Sequence, residues 1–231
     1  MQEQKADLKE YKHQSEAGLI NITYYTDPLC CWSWGFEPEW QKLLAHFKGK
    51  VTWRYCMGGL LPSWNNYHDG INSISRPLQM GPMWMHASEI TGAFIRHDIW
   101  AKDPPASSYP ACIAVKCVQL QSTRAVEQYL FLLREACMIK GENIAKQNVL
   151  VNTAELLLKD ESIQFDIKKF TTQLLGSEGR EAFRKDLQEV KYHGINRFPS
   201  LVIKDAGKAK LITGYRSFET IIDIWNEPLL Q

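Results

Sequence analysis

Two adjacent cysteines, Cys30 and Cys31, followed by Trp32 and Ser33, are the residues of this chain best placed to do chemistry. They follow an apolar run, Leu19 to Tyr25, and a breaker pair, Asp27-Pro28, and they open a stretch with helical spacing. A thiol at a strand-to-helix junction meets unpaired N–H groups and roughly half a unit of positive charge, both of which favour thiolate over thiol. The spacing departs from Cys-x-x-Cys in one place: Ser33 stands where a second cysteine would be.

The other cysteines read differently. Cys137 continues the helical stripe Val126, Tyr129, Leu130 and Leu133, and Cys112 and Cys117 lie in another helix-like stretch with no Cys or His pair nearby to complete a zinc site. These three are expected to be buried thiols, and Cys56, on a strand, is expected in the core as well. A chain of 231 residues has ample material for a core and needs no disulfide framework. No metal site is expected.

Charge is nearly balanced, with 27 Lys+Arg against 26 Asp+Glu and no block of one sign, which gives no support for nucleic acid or an anionic membrane as partner. Residues 1–17 form a polar N-terminal extension without the apolar segment of a signal peptide, and no run approaches the ~18 apolar residues of a membrane span. The expectation is a soluble, cytoplasmic protein.

The elements that must position the cysteines are legible from periodicity. Residues 19–25 predict a buried strand, Trp32 to Phe47 a helix with apolar Phe36, Trp40, Leu43, Leu44 and Phe47 on one side, and Val51 to Cys56 a second, alternating strand ended by Gly58-Gly59. From Ser63 to Gly194 no strand is predicted. Helical segments fill that block: 83–94, 111–121, 124–139, 147–158, 166–174, and a last one carrying Phe183, Leu187 and Val190. Strand character returns at 199–203 and 210–213, flanking a turn at Asp205-Ala206-Gly207, and residues 217–225 close the chain as an amphipathic helix. The order is β-α-β, a long helical block, then β-β-α.

That order is the thioredoxin-like topology, an α/β fold with a central mixed sheet, and the all-helical insertion resembles the DsbA-like branch. Residues Tyr24 to Glu39 resemble the active-site segment of cytoplasmic DsbA-family proteins of the FrnE type, which read Asp-Pro-x-Cys-x-Trp-Cys-Trp-Gly with a Glu-Pro soon after. The resemblance places Cys30 at the nucleophilic cysteine, Cys31 at an intervening position and Ser33 at the resolving cysteine. Pro38 falls where such proteins carry a helix-kinking proline. It implies a thioredoxin-like domain built from residues 18–62 and 194–231, with 63–193 as an inserted helical domain. It also implies a cis-proline at Pro199, facing Cys30. The dipeptide Phe198-Pro199 by itself would equally suit a proline that starts an edge strand. With Cys30 at the matching place the cis reading is preferred, turning the Phe198 backbone outward for an extended peptide to pair with.

A thiolate attacks a disulfide to form a mixed disulfide, and a second thiol then displaces the product. Ser33 cannot take that second step, although its hydroxyl can donate to the Cys30 thiolate and hold its pKa down. The expected chemistry is monothiol: Cys30 forms a mixed disulfide with a protein or peptide thiol, or with glutathione as co-substrate, and no resident cofactor is needed. Neighbours on a helix point about 100° apart, so a Cys30–Cys31 disulfide would be strained. Cys31 reads as a half-buried bystander open to oxidation. Trp32 is expected to face the surface and flank a ligand, whereas Trp40 and Trp53 read as core. Met80 to His86 reads as packing between helices in preference to a peptide groove. The histidines form no motif.

Three functional classes follow, in this order: a DsbA-family thiol oxidoreductase or isomerase; a glutathione-dependent transferase or isomerase of the kappa or hydroxychromene-carboxylate type, which carries serine where Cys30 stands; and a non-catalytic DsbA-like adaptor.

Overall fold

The computed structural model describes residues 19–70 and 73–228, so the polar extension 1–17 lies outside the described residues. Four strands form one sheet in the order β2-β1-β3-β4. The apolar run forms β1 (Ile20–Thr26), which pairs in parallel with β2 (Val51–Met57) and antiparallel with β3 (Ser200–Asp205). β3 pairs antiparallel with β4 (Lys208–Thr213) through a tight turn at Ala206-Gly207. This is the thioredoxin-like fold, and the central place of β1 explains why Tyr24, Tyr25 and Thr26 at its end are all buried.

The single helix predicted over 32–47 is two helices, α1 (Cys31–Gly35) and α2 (Glu37–His46). Pro38 occupies the first turn of α2, where its missing N–H interrupts the ladder without leaving a donor unpaired. Phe36, Trp40 and Leu43 pack under the sheet against Tyr24, whose ring lies 5.7 Å from Phe36 and 5.0 Å from Trp40. The other face carries a small cluster of Tyr25, Cys56 and Ile195 with Val190, Phe198 and Val202.

β2 does not alternate as expected. Its first four residues are exposed or half-buried and its last three, Tyr55, Cys56 and Met57, are buried on both faces. β2 is an edge strand, and only its end runs beneath helices. Trp53 consequently stands 40 % exposed, touching Trp40 edge-on at 6.4 Å, and the core assignment for it is corrected. Trp40 is buried.

The helical block comprises α3 (Met80–Thr91), α4 (Ile99–Lys102), α5 (Tyr109–Gln119), α6 (Thr123–Met138), α7 (Gln147–Glu155), α8 (Ile167–Leu175) and α9 (Glu178–Tyr192). α10 (Phe218–Asn226) returns to the sheet. The segment predicted as one helix over 147–158 is α7 followed by a tighter single turn at Leu156–Lys159, while the four-residue α4, the single turn at Pro77–Gln79 and the bridge between Asp69 and Ile74 carry no periodic signal and lie outside the predicted elements. α5 is the hub: Ala111, Cys112, Ala114, Val115, Cys117 and Val118 are buried. A helix apolar on every side packs on every side, and α5 lies against α6, α8 and α9. One continuous buried cluster runs from the sheet through α1 and α2 to α5 and α6. No helix among the described residues is long and apolar enough to cross a membrane.

One ion pair ties this hub to the sheet. Lys116 of α5 donates to Asp186 of α9 at 2.9 Å, both side chains are nearly out of water, and Asp186 also accepts the Met57 N–H at 2.7 Å. Breaking a buried pair leaves an uncompensated charge, so Asp186→Ala should lower unfolding free energy by about 3–5 kcal/mol in urea titrations. Replacing both partners, Lys116→Met with Asp186→Leu, should recover most of that loss. Equal losses in the single and double variants would show that the pair is not what matters.

Candidate functional site

The turn that delivers Cys30 is built from Asp27. The Asp27 carbonyl accepts the Cys30 N–H at 3.1 Å, and its Oδ1 accepts the Leu29 N–H at 2.9 Å. Cys30 then caps α1 with extended backbone, φ −82° and ψ 111°, and its carbonyl accepts Trp34 N–H at 3.1 Å. Its thiol donates to the carbonyl of Phe198 at 3.5 Å. The Phe198–Pro199 peptide bond is cis, and the loop is held by Ser200 Oγ donating to Arg197 O at 2.7 Å and by Gly214 N–H donating to Pro199 O at 2.8 Å. The structure thus brings Cys30, Ser33, Phe198 and Pro199 together across 168 residues of sequence.

The electrostatics differ from expectation. Cys30 is 4 % exposed, and burial pushes its thiol above the ordinary value. The Ser33 hydroxyl and N–H pull it down, Asp27 pushes it further up, and Arg134 pulls it down. Burial is the largest of these effects, so the net shift is upward. The Ser33 hydroxyl is buried, acts on the Cys30 sulfur and has no nitrogen or oxygen partner.

Cys31 is 1 % exposed rather than half-buried, and burial raises its thiol well above the ordinary value. It faces inward because it starts α1 on the side that packs into the core. All six cysteines are free thiols. Cys56, Cys112, Cys117 and Cys137 are fully buried.

Trp32 is half-buried and forms a wall of a cleft of about 230 Å³ with Ile74, Gln79, Pro82, Met83 and His86. Its ring meets His86 edge-on at 5.8 Å and lies 6.4 Å from Tyr215. The Met80–His86 segment therefore divides: Met80, Gly81 and Trp84 pack inward, while Met83 and His86 line the cleft. No group of His, Cys, Asp and Glu among the described residues could hold a metal.

Two site residues escaped the sequence reading. Asp27 is wholly buried, and its Oδ2 accepts from Leu60 N–H at 2.7 Å, Ser108 Oγ at 2.9 Å and Cys112 Sγ at 3.3 Å. Arg134, 1 % exposed, donates to Glu37 at 3.0 Å and to Thr26 Oγ1, and lies over the Tyr24 ring at 5.8 Å. The available signal was a charged residue four positions after Leu130, on the buried stripe of α6.

Because the folded protein holds the Cys30 proton more tightly than the unfolded chain does, the stabilisation this brings is complete below about pH 8.5 and fades as pH rises through the folded value. Alkylation of Cys30, followed by peptide mass mapping, should therefore rise with a midpoint above the free-thiol value. Ser33→Ala should push that midpoint up again, leaving about tenfold less thiolate at a given pH. A midpoint at or below that of a free thiol would contradict the burial argument.

Comparison with known proteins places this geometry. Among solved structures, a candidate protein disulfide isomerase from Nitrosomonas europaea matches with a TM-score of 0.72 and 23 % identity, covering 90 % of this chain and 97 % of that one. The cytosolic disulfide reductase DsbM of Pseudomonas aeruginosa matches at 0.63 and 20 % identity, covering 83 % and 88 %. These are likenesses of fold. Among curated relatives, the ClpXP adapter protein SpxH of Halalkalibacterium halodurans is 25 % identical over 219 residues, 94 % of this chain and 70 % of the relative. The SpxH of Shouchella clausii is 26 % identical over 183 residues, and the match spans 57 % of that protein's length. The family model described as Thioredoxin matches residues 24–223, and with Cys30 at its strand-to-helix junction facing a cis-proline, the chain belongs to the thioredoxin family.

Proposed function

We propose that the chain performs thiol–disulfide exchange with one working thiol, Cys30, on an extended segment of a protein partner. The observation that carries this is the Cys30 thiol directed at the Phe198 carbonyl, ahead of cis-Pro199, with the buried Ser33 hydroxyl acting on the same sulfur. Docking of a partner along Phe198 would replace the carbonyl that now covers the thiol, and the Trp32 cleft would take an apolar side chain.

Cys30 gives up its proton, and the thiolate attacks one sulfur of a partner disulfide. A Cys30–partner mixed disulfide forms, the partner's S–S bond breaks, and the leaving sulfur departs as a thiolate that takes up the proton. Ser33 donates to the Cys30 sulfur while charge resides on it and cannot attack the mixed disulfide. Release falls to an external thiol, for which we propose glutathione in a reducing cytoplasm. The DsbM of Pseudomonas aeruginosa has been solved with GSH, which supports this choice.

A second reading is favoured by a specific observation: the thiol is 4 % exposed and its pKa is raised by burial, both unfavourable to turnover. In that reading the chain is an adaptor that binds its partner without exchange, as the naming of its relatives as ClpXP adapters suggests.

Turnover of a glutathionylated peptide separates the two. Exchange predicts Cys30-dependent release, lost by more than about a hundredfold in Cys30→Ala. It also predicts that Ser33→Cys gains an intramolecular disulfide under mild oxidation, seen as a mass loss of two hydrogens. Absence of Cys30-dependent release, together with direct binding to ClpX unchanged in Cys30→Ala, would give the adaptor reading. Transfer of glutathione to an aromatic electrophile would overturn both.

A further inference from the structure

Gly58 follows β2, and its N–H donates to Thr26 O at 2.7 Å, continuing the β1–β2 ladder to the residue before Asp27. The ring of Phe198 lies directly on it. A Cβ at position 58 would sit 2.1 Å from Phe198 Cζ, 2.4 Å from Cε1 and 2.6 Å from Cε2, which is overlap rather than contact. The next residue, Gly59, has φ +65° and needs glycine for its backbone. Gly58 has no positive φ, so its backbone would accept any residue and only the space over its Cα calls for glycine.

The Phe198 ring packs into the small cluster of Tyr25, Cys56 and Ile195 on the α9 side of the sheet. The carbonyl of the same residue covers the Cys30 thiol. Where the ring comes to rest therefore sets where the carbonyl stands. We infer that Gly58 is a positioning residue for the thiol: the bare backbone there seats the Phe198 ring and so fixes the lid that the Phe198 carbonyl places on Cys30. This rests on Cys30 being the working thiol proposed above. It adds that the cover on that thiol is controlled from the end of β2, across the sheet from the helices that carry Cys30.

The test reads the intrinsic alkylation rate of Cys30 with iodoacetamide at fixed pH, in the full chain, by peptide mass mapping, with circular dichroism to confirm folding. Gly58→Ala should raise the rate at least about fivefold, because the displaced ring takes the carbonyl with it. Phe198→Ala should raise it too. In the Phe198→Ala background, adding Gly58→Ala should change nothing further, since the clash is gone. Should Gly58→Ala fail to fold while the double variant folds, the seat is equally supported. An unchanged rate in folded Gly58→Ala, an unchanged rate in Phe198→Ala, or the same increment from Gly58→Ala in both backgrounds would overturn the inference. Alkylation requires no exchange chemistry, so loss of the exchange reading and loss of this one would show up in different measurements.

Discussion

The Asp27 carboxyl lies fully out of water and accepts four hydrogen bonds, from Leu29 N–H, Leu60 N–H, the Ser108 hydroxyl and the Cys112 thiol. A buried carboxyl is tolerable only when its lone pairs are occupied, and here the occupants come from three places: the β1–α1 turn, the segment after β2, and α5 of the helical block. The group that shapes the turn before Cys30 is thus the same group that docks the inserted helices onto the sheet. Its burial raises its own pKa, and its proximity opposes ionisation of Cys30. Architecture and thiol chemistry depend on one side chain.

The helical block also brings a buried cation to the site. Arg134 of α6 reaches beneath α1 to Glu37, Thr26 and the face of Tyr24, and it favours the Cys30 thiolate where Asp27 disfavours it. Ser33 adds a hydroxyl that also favours the Cys30 thiolate. The thiol therefore rests protonated under burial, with the groups that would stabilise its thiolate already in place. Pro38 matters to this arrangement as well. By starting α2 afresh it leaves α1 short, and Glu37 and Glu39 fall in the first turn of α2, where one meets Arg134 and the other accepts Phe218 N–H of α10 at 2.7 Å.

The sheet and most helices were legible because their signals are local. The run of Ile20, Ile22, Tyr24 and Tyr25, the Asp205-Ala206-Gly207 turn, and the stripe of α6 each fit within one element. Cys30, Ser33 and Phe198-Pro199 were legible as a set through the resemblance of their two motifs to the DsbA-like branch, and the fold brings them together. What was missed is non-local. Asp27 was read only as a breaker, since Ser108 and Cys112 stand 81 and 85 residues away. Arg134 hid in an apolar stripe whose charge partner is 97 residues distant. Trp53 and the alternation of β2 were misjudged because a sequence does not show which strand lies at the edge. Cys31 was misjudged because the inward side of a five-residue helix cannot be found from periodicity.

The burial of the cysteines has a consequence for the chain as a whole. Six chemically identical groups are present, yet five are sealed in the interior and the sixth lies beneath a single carbonyl. Discrimination among them comes from access to solvent rather than from a lowered pKa, since burial raises the pKa of all six. An oxidant or electrophile arriving from outside meets one sulfur, so chemical damage and chemical signalling share a single address.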